Sequence, residues 1–229
     1  MKKNVLIVGA GNGLSASLTH LFITKGFNTI LACRNINKIQ KLCNDTGAHP
    51  FCCDVSNKKE VDALFSYIDE EFKTIDIVVY NAGIYERGSI IQVSEQAVKT
   101  SLMTNAYGAF LIAQEASKRM INAGQGSMLF TGASAGVKGY AKSAPFAMGK
   151  FALRGLCQSL ARELAPQNIH VAHFVIDGLI YSENRGDHYN NPITTLDPNA
   201  IAKTYYQIAI QDKSAWTWEI ELRPSTEIF

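Results

Sequence analysis

Short apolar runs alternate with longer amphipathic stretches along this chain. The runs at 4–8, 28–33, 48–53, 75–80, 127–132, 169–175 and 216–221 have strand length. Between them, 13–25, 36–45, 57–72, 95–121, 147–164 and 198–211 fit helices. The last begins just after Asp197-Pro198, a cap followed by a first-turn proline. This layout predicts an α/β fold, a three-layer sandwich with a seven-stranded parallel sheet flanked by helices. Parallel strands need right-handed crossovers, which leaves few other topologies. Residues 1–229 read as a single domain, and the irregular stretch at about 177–196, broken by Gly186, Asn190, Asn191 and Pro192, is expected to be a flexible substrate loop.

Composition narrows the classes. With 47% hydrophobic and 18% charged residues the chain can bury a large core, which excludes disorder. Its 22 Lys and Arg nearly balance 20 Asp and Glu, so neither nucleic acid nor a membrane surface is an expected partner. No apolar stretch approaches the roughly 20 residues that cross a bilayer. Gly9 to Gly13 ends the first apolar run too early for a signal peptide, and a cytoplasmic location is expected. Cys33, Cys43, Cys52, Cys53 and Cys157 show no metal-ligand spacing and read as reduced, buried thiols, so no metal is expected.

Chemistry enters at the first turn. Val5-Leu6-Ile7-Val8 runs into Gly9-Ala10-Gly11-Asn12-Gly13-Leu14-Ser15 and then into a helix. Glycines there let a pyrophosphate reach backbone N–H groups at a helix N-terminus. The spacing is imperfect, because Ser15 takes the last glycine of the Gly-x-x-x-Gly-x-Gly pattern that Gly9 and Gly13 begin. Strand, glycine turn and helix in this order make the sheet Rossmann-like. The second strand ends Cys33-Arg34-Asn35, with no carboxylate to bond a ribose 2′-hydroxyl and with a guanidinium suited to a 2′-phosphate. NADP(H) is therefore expected over NAD(H), although Asn12 adds no second positive charge.

Gly9 to Ser15, Asp54-Val55, Asn81-Ala82-Gly83 and Thr104-Asn105-Ala106-Tyr107-Gly108 together resemble, in order, the motifs of short-chain dehydrogenases/reductases. The resemblance implies that Gly9, Gly11, Asn12, Gly13, Leu14, Arg34, Asp54, Val55, Asn81, Ala82, Gly83 and Lys150 hold the dinucleotide, with Asp54 at the adenine and Asn105 supporting a water relay. Asp177-Gly178-Leu179-Ile180-Tyr181-Ser182 is similar to the family's Pro-Gly-x-x-x-Thr segment, which adds Gly178, Ile180 and Ser182 to the cofactor set.

In the family a tyrosine exchanges the proton, a lysine four residues later lowers its pKa, and a serine about thirteen residues earlier orients the substrate oxygen. Lys150 matches the lysine, but Phe146 stands at the tyrosine and Ala133 at the serine. Asn105 and Lys150 remain as the catalytic set, with Ser134 and Tyr140 as possible substitutes and Asp177 and Tyr181 beyond the sixth strand. His170 and His173 read as strand residues. A positioned acid or base contributes about 100- to 10,000-fold, so ordinary ketone reduction should be slow.

The expected function is NADPH-dependent reduction of a small carbonyl, quinone or conjugated carbonyl compound whose product needs no proton from position 146. The alternative is a catalytically silent NADP(H)-binding redox sensor. A small-molecule substrate is the expected partner, and the resemblance implies a homodimer or homotetramer built on the helices at 95–121 and 147–164.

Overall fold

The computed structural model describes residues 2–183 and 186–227. Strands β1 (Asn4–Val8), β2 (Asn28–Cys33), β3 (His49–Cys52), β4 (Ile77–Tyr80), β5 (Gly126–Thr131), β6 (Ile169–Ile176) and β7 (Glu219–Leu222) form one parallel sheet in the order β3-β2-β1-β4-β5-β6-β7. β1, β4 and β6 are buried along their whole length, as apolar strands under two helical layers must be. The helices are α1 (Leu14–Thr24), α2 (Gln40–Thr46), α3 (Lys58–Glu71), α4 (Glu95–Leu102), α5 (Gly108–Ala123), α6 (Ala144–Leu164) and α7 (Pro198–Ala209).

Alternation along β1 divides the core. Leu6 and Val8 pack with Leu64 of α3, Ile112 of α5 and Leu153 of α6, whereas Val5 and Ile7 pack with Leu18 of α1, Leu42 of α2 and Tyr205 of α7. Asn57, Ser94 and Asp197 cap α3, α4 and α7 by accepting from Lys59 N, Ala97 N and Asn199 N. Since β1 lies between β2 and β4, the connections after β1 and β4 diverge and open a crevice at the strands' C-terminal ends.

Three expectations need correction. The helix expected at 95–121 carries a π-turn over Met103–Tyr107, which divides it into α4 and α5 while the backbone stays helical throughout. A Cβ on Gly108 would come 2.7 Å from Tyr80 Oη and from Val55 Cγ2, so the backbone must run tight against β4 here. The last strand begins at Glu219 rather than 216, because Trp216 Nε1 donates to Gln211 O and Thr217 N to Gln211 Oε1, which holds both in the preceding turn. The helix at 147–164 starts earlier, at Ala144, with Pro145 in its first turn.

Of the stretch 177–196, residues 184 and 185 lie outside the described set. The remainder is tied by Tyr181 N to Leu196 O, Leu196 N to Leu179 O and Ser182 N to Tyr189 O, each at 2.8 Å. Among the described residues, no helix is long and apolar enough to cross a membrane, and no cluster of His, Cys, Asp or Glu is arranged to hold a metal.

Candidate functional site

A cleft of about 640 Å³ lies over the ends of β1, β2 and β4. It is lined by Gly9, Gly11, Asn12, Gly13, Leu14, Arg34, Asp54, Val55, Asn81, Ala82, Gly83, Ile180 and Ser182, so the structure brings most of the sequence-derived cofactor set together. Gly178 and Lys150 are not among the lining residues: Gly178 has φ +142°, and a Cβ there would approach Pro224 and Leu196, while Lys150 is buried beside Gly83 at the cleft's edge.

The three glycines of the first turn have different reasons. Gly9 has φ +83°, and its Cβ would stand 2.4 Å from the backbone of Ala82, so the fold itself demands glycine. A Cβ on Gly11 or Gly13 would meet nothing within 4 Å, although both border the cleft. No protein group requires glycine at either position, and this fits a backbone cradle for pyrophosphate at the start of α1. Ser15 is no flaw in the pattern. Its buried Oγ donates to Gly9 O at 3.0 Å and accepts from Asn81 Nδ2 at 2.8 Å, which fastens the first turn to the turn after β4.

Arg34 lies at the exposed end of β2, and Lys38, in the short 3-10 turn Ile36–Ile39, lines the same cleft. Sequence reading missed Lys38. The signal was its position four residues after Arg34, which a tight turn returns to the strand end. Asp54 Oδ1 accepts from Ser56 N and Ser56 Oγ. Burial would raise its carboxyl, but these bonds and the nearby Arg34 outweigh burial and hold it below the ordinary carboxylate value.

At the other end of the cleft, Gly83 is the meeting point with the catalytic set. A Cβ there would stand 3.1 Å from Asn105 Oδ1 and 3.5 Å from Lys150 Nζ. Asn105, fully buried in the π-turn, donates to Ile84 O and Ser101 Oγ and accepts from Ile84 N. Ser101 Oγ in turn donates to Pro145 O, so one chain of bonds ties the turn after β4 to the start of α6.

Lys150 is 4% exposed, and its Nζ donates to Thr131 O at 2.7 Å. Burial lowers its pKa from 10.5 to about 8. The ammonium also lies 5.8 Å over the ring of Phe146. Tyr85, absent from the sequence-derived set, meets that ring edge-on with centroids 4.9 Å apart.

Ala133 leads into the turn Ser134–Gly136, where a Cβ on Gly136 would touch the Lys150 backbone. Ser134 and Tyr140, like Asn105, Phe146 and Lys150, lie outside the lining of this cleft. Ser134 starts that turn, and the ring of the exposed Tyr140 carries Lys138 at 5.6 Å. Asp177 is buried and pairs with Lys138 at 3.9 Å, whereas Tyr181 does line the cleft.

His170 and His173 are strand residues of β6. His170 stacks on Trp216, while His173 Nδ1 lies 3.0 Å from Glu219 Oε2, which also accepts from Arg154. A carboxylate can only accept, so Nδ1 carries the hydrogen. His173 Nε2 has no partner among the described residues and lies where a Cβ on Gly132 would be.

The model of the short chain dehydrogenase family matches residues 3–190. The chain is 25% identical to the human 3-oxoacyl-[acyl-carrier-protein] reductase over 82% of its own length and 79% of that protein's. It is 27% identical to carbonyl reductase family member 4 of Xenopus laevis, covering 86% and 84% of the two chains. Among solved structures, a short-chain dehydrogenase from Rhodopseudomonas palustris superposes with a TM-score of 0.84 at 31% identity, covering 97% and 98%. An alcohol dehydrogenase from Thermococcus sibiricus, complexed with 5-hydroxy-NADP, shares the fold with a TM-score of 0.87 at 20% identity over 100% and 99%.

Proposed function

This chain belongs to the short-chain dehydrogenase family, and on that premise we propose that it is an NADP(H)-dependent oxidoreductase reducing a small quinone, conjugated carbonyl or related carbonyl compound. The observation that carries the cofactor reading is the single cleft that joins Gly11 and Gly13, which no protein contact explains, to the cationic pair Arg34 and Lys38. Arg34 and Lys38 would hold the 2′-phosphate, Asp54 the adenine, and Lys150 the ribose next to the nicotinamide. When bound, the nicotinamide supplies a hydride.

The substrate class follows from what surrounds Lys150. Phe146 offers no proton, and Ala133 offers no hydroxyl to orient a substrate oxygen. Phe146 and Tyr85 instead present two aromatic rings, a surface suited to a flat conjugated acceptor. The anion formed on reducing such an acceptor is stable enough to take its proton from water. The human and Xenopus relatives, a 3-oxoacyl-[acyl-carrier-protein] reductase and a carbonyl reductase family member, support reduction of a carbonyl group and do not bear on conjugation.

Assembly is proposed as a homo-oligomer through the faces of the π-turn, α5 and α6, where Met103, Tyr107, Phe110, Met148 and Phe151 stay exposed. Stopped-flow assays with NADPH and a panel of quinones, enones and aliphatic ketones test the activity. Turnover of conjugated acceptors with slow or absent turnover of aliphatic ketones is expected. NADPH binding with no turnover of any acceptor would favour the silent sensor, which further requires different affinities for NADPH and NADP.

A further inference from the structure

The ends of β2 and β3 carry two cysteines that the proposed reaction does not use. Cys33 and Cys52 are register partners on neighbouring parallel strands, so their side chains leave the same face of the sheet. Neighbouring strands lie about 4.8 Å apart, and disulfides join Cα atoms roughly 4.4–6.8 Å apart, which puts the pair within bridging range. Access singles out the same two residues: Cys52 is exposed and Cys33 half-buried, while Cys43, Cys53 and Cys157 are buried. Cys53 also belongs to the core on the opposite face. The four-residue β3 is an edge strand, paired with β2 on one side only.

These thiols adjoin the cofactor-selecting residues. The Cys52 thiol donates to Arg34 O at 3.4 Å, and Cys33 lines the cleft together with Arg34 and Lys38. We propose that Cys33 and Cys52 form a reversible disulfide on exposure to hydrogen peroxide and that closing it weakens NADP(H) binding, the second part resting on the cofactor reading above.

The chemistry balances in two steps. The Cys52 thiolate attacks one peroxide oxygen, the O–O bond breaks, and the departing hydroxide takes a proton to leave as water, giving a sulfenic acid. Cys33 then attacks the Cys52 sulfur, the S–O bond breaks and a second water leaves. Two thiols lose two electrons and two protons, and one peroxide becomes two waters. Cys52 is the attacking residue because it is exposed, and Cys33, its half-buried register partner, is the thiol placed to attack the sulfenic acid in the second step. The bond would lie at an exposed edge strand, where an external thiol can reach and reduce it. Closure also removes the Cys52 bond to Arg34 O and draws the end of β2 toward β3, displacing Arg34.

The test treats the full chain with hydrogen peroxide, alkylates the remaining thiols, and reads intact mass and fragmented peptides. Dinucleotide titrations are run before oxidation, after it, and after dithiothreitol. Loss of two hydrogens is expected, with the link placed between Cys33 and Cys52. NADPH affinity should fall at least tenfold, recover on reduction, and resist peroxide in Cys52→Ser, an exposed position where serine is tolerated. Complete alkylation after peroxide, or a link at Cys43 or Cys53, would overturn the pair. The correct link with unchanged NADPH affinity would overturn its effect on binding. If the reduced protein binds neither dinucleotide, the cofactor reading fails, and the linked peptide still decides the pair.

Discussion

Lys150, four residues after Phe146, holds its ammonium 5.8 Å over the Phe146 ring. The charge is therefore positioned to favour a phenolate, and the phenol is absent. Restoring both lost hydroxyls with Phe146→Tyr and Ala133→Ser should raise aliphatic ketone reduction about 100- to 10,000-fold, the usual contribution of a positioned acid or base. NADPH oxidation with a simple ketone measures it. A double variant that binds NADPH yet stays inert would show that the site has diverged beyond two side chains.

The burial of Lys150 also sets a pH dependence. Its folded pKa of about 8 lies below the ordinary 10.5, so between these values the unfolded chain binds the extra proton. Stability from this group then rises with pH across that window, and the full burial cost, about 3 kcal/mol, is present below pH 8. Lys150→Met should flatten the rise between pH 8 and 10 in urea unfolding curves and weaken NADPH binding. An unchanged slope would mean that the amine is not held in a low-dielectric site.

Gly9 and Gly11 should separate folding from binding. In Gly9→Ala the new methyl clashes with the Ala82 backbone at a positive φ, at a cost of about 3 kcal/mol. Gly11→Ala meets no protein atom and should leave stability within about 0.5 kcal/mol while weakening the dinucleotide at least tenfold. Thermal unfolding and titration on both variants read the two effects. Loss of stability in Gly11→Ala would remove the argument that its missing Cβ serves a ligand.

Much of this was legible in the chain itself. The strands β1, β4 and β6 are mostly apolar and wholly buried because helices cover both faces, and the capping pair Asp197-Pro198 fixes the start of α7. The π-turn at Met103–Tyr107 was not legible, because helical periodicity runs on through it; it lies just before Gly108, which packs against Tyr80 and Val55. Ser15 read as a defect in a glycine pattern until its hydroxyl was seen to bridge Gly9 and Asn81. Lys38 and Tyr85 were not legible because each reaches the site through a turn or a loop contact that no periodicity marks.

The cationic pair makes a prediction about selectivity. A charge-assisted bond to phosphate contributes about 1.5–3 kcal/mol, so Arg34→Asp should weaken NADPH roughly 10- to 100-fold and narrow or reverse the preference over NADH. Lys38→Ala should have a smaller effect in the same direction. Equal losses for NADPH and NADH in both variants would place these residues away from the 2′-phosphate.

The most direct measurement is calorimetric titration of the reduced, full-length protein with NADPH and with NADH under the same conditions. One saturable site per chain that binds NADPH at least tenfold more tightly than NADH is the expected result. Binding of neither dinucleotide, or tighter binding of NADH, would contradict the cofactor site assigned to Gly11, Gly13, Arg34 and Lys38.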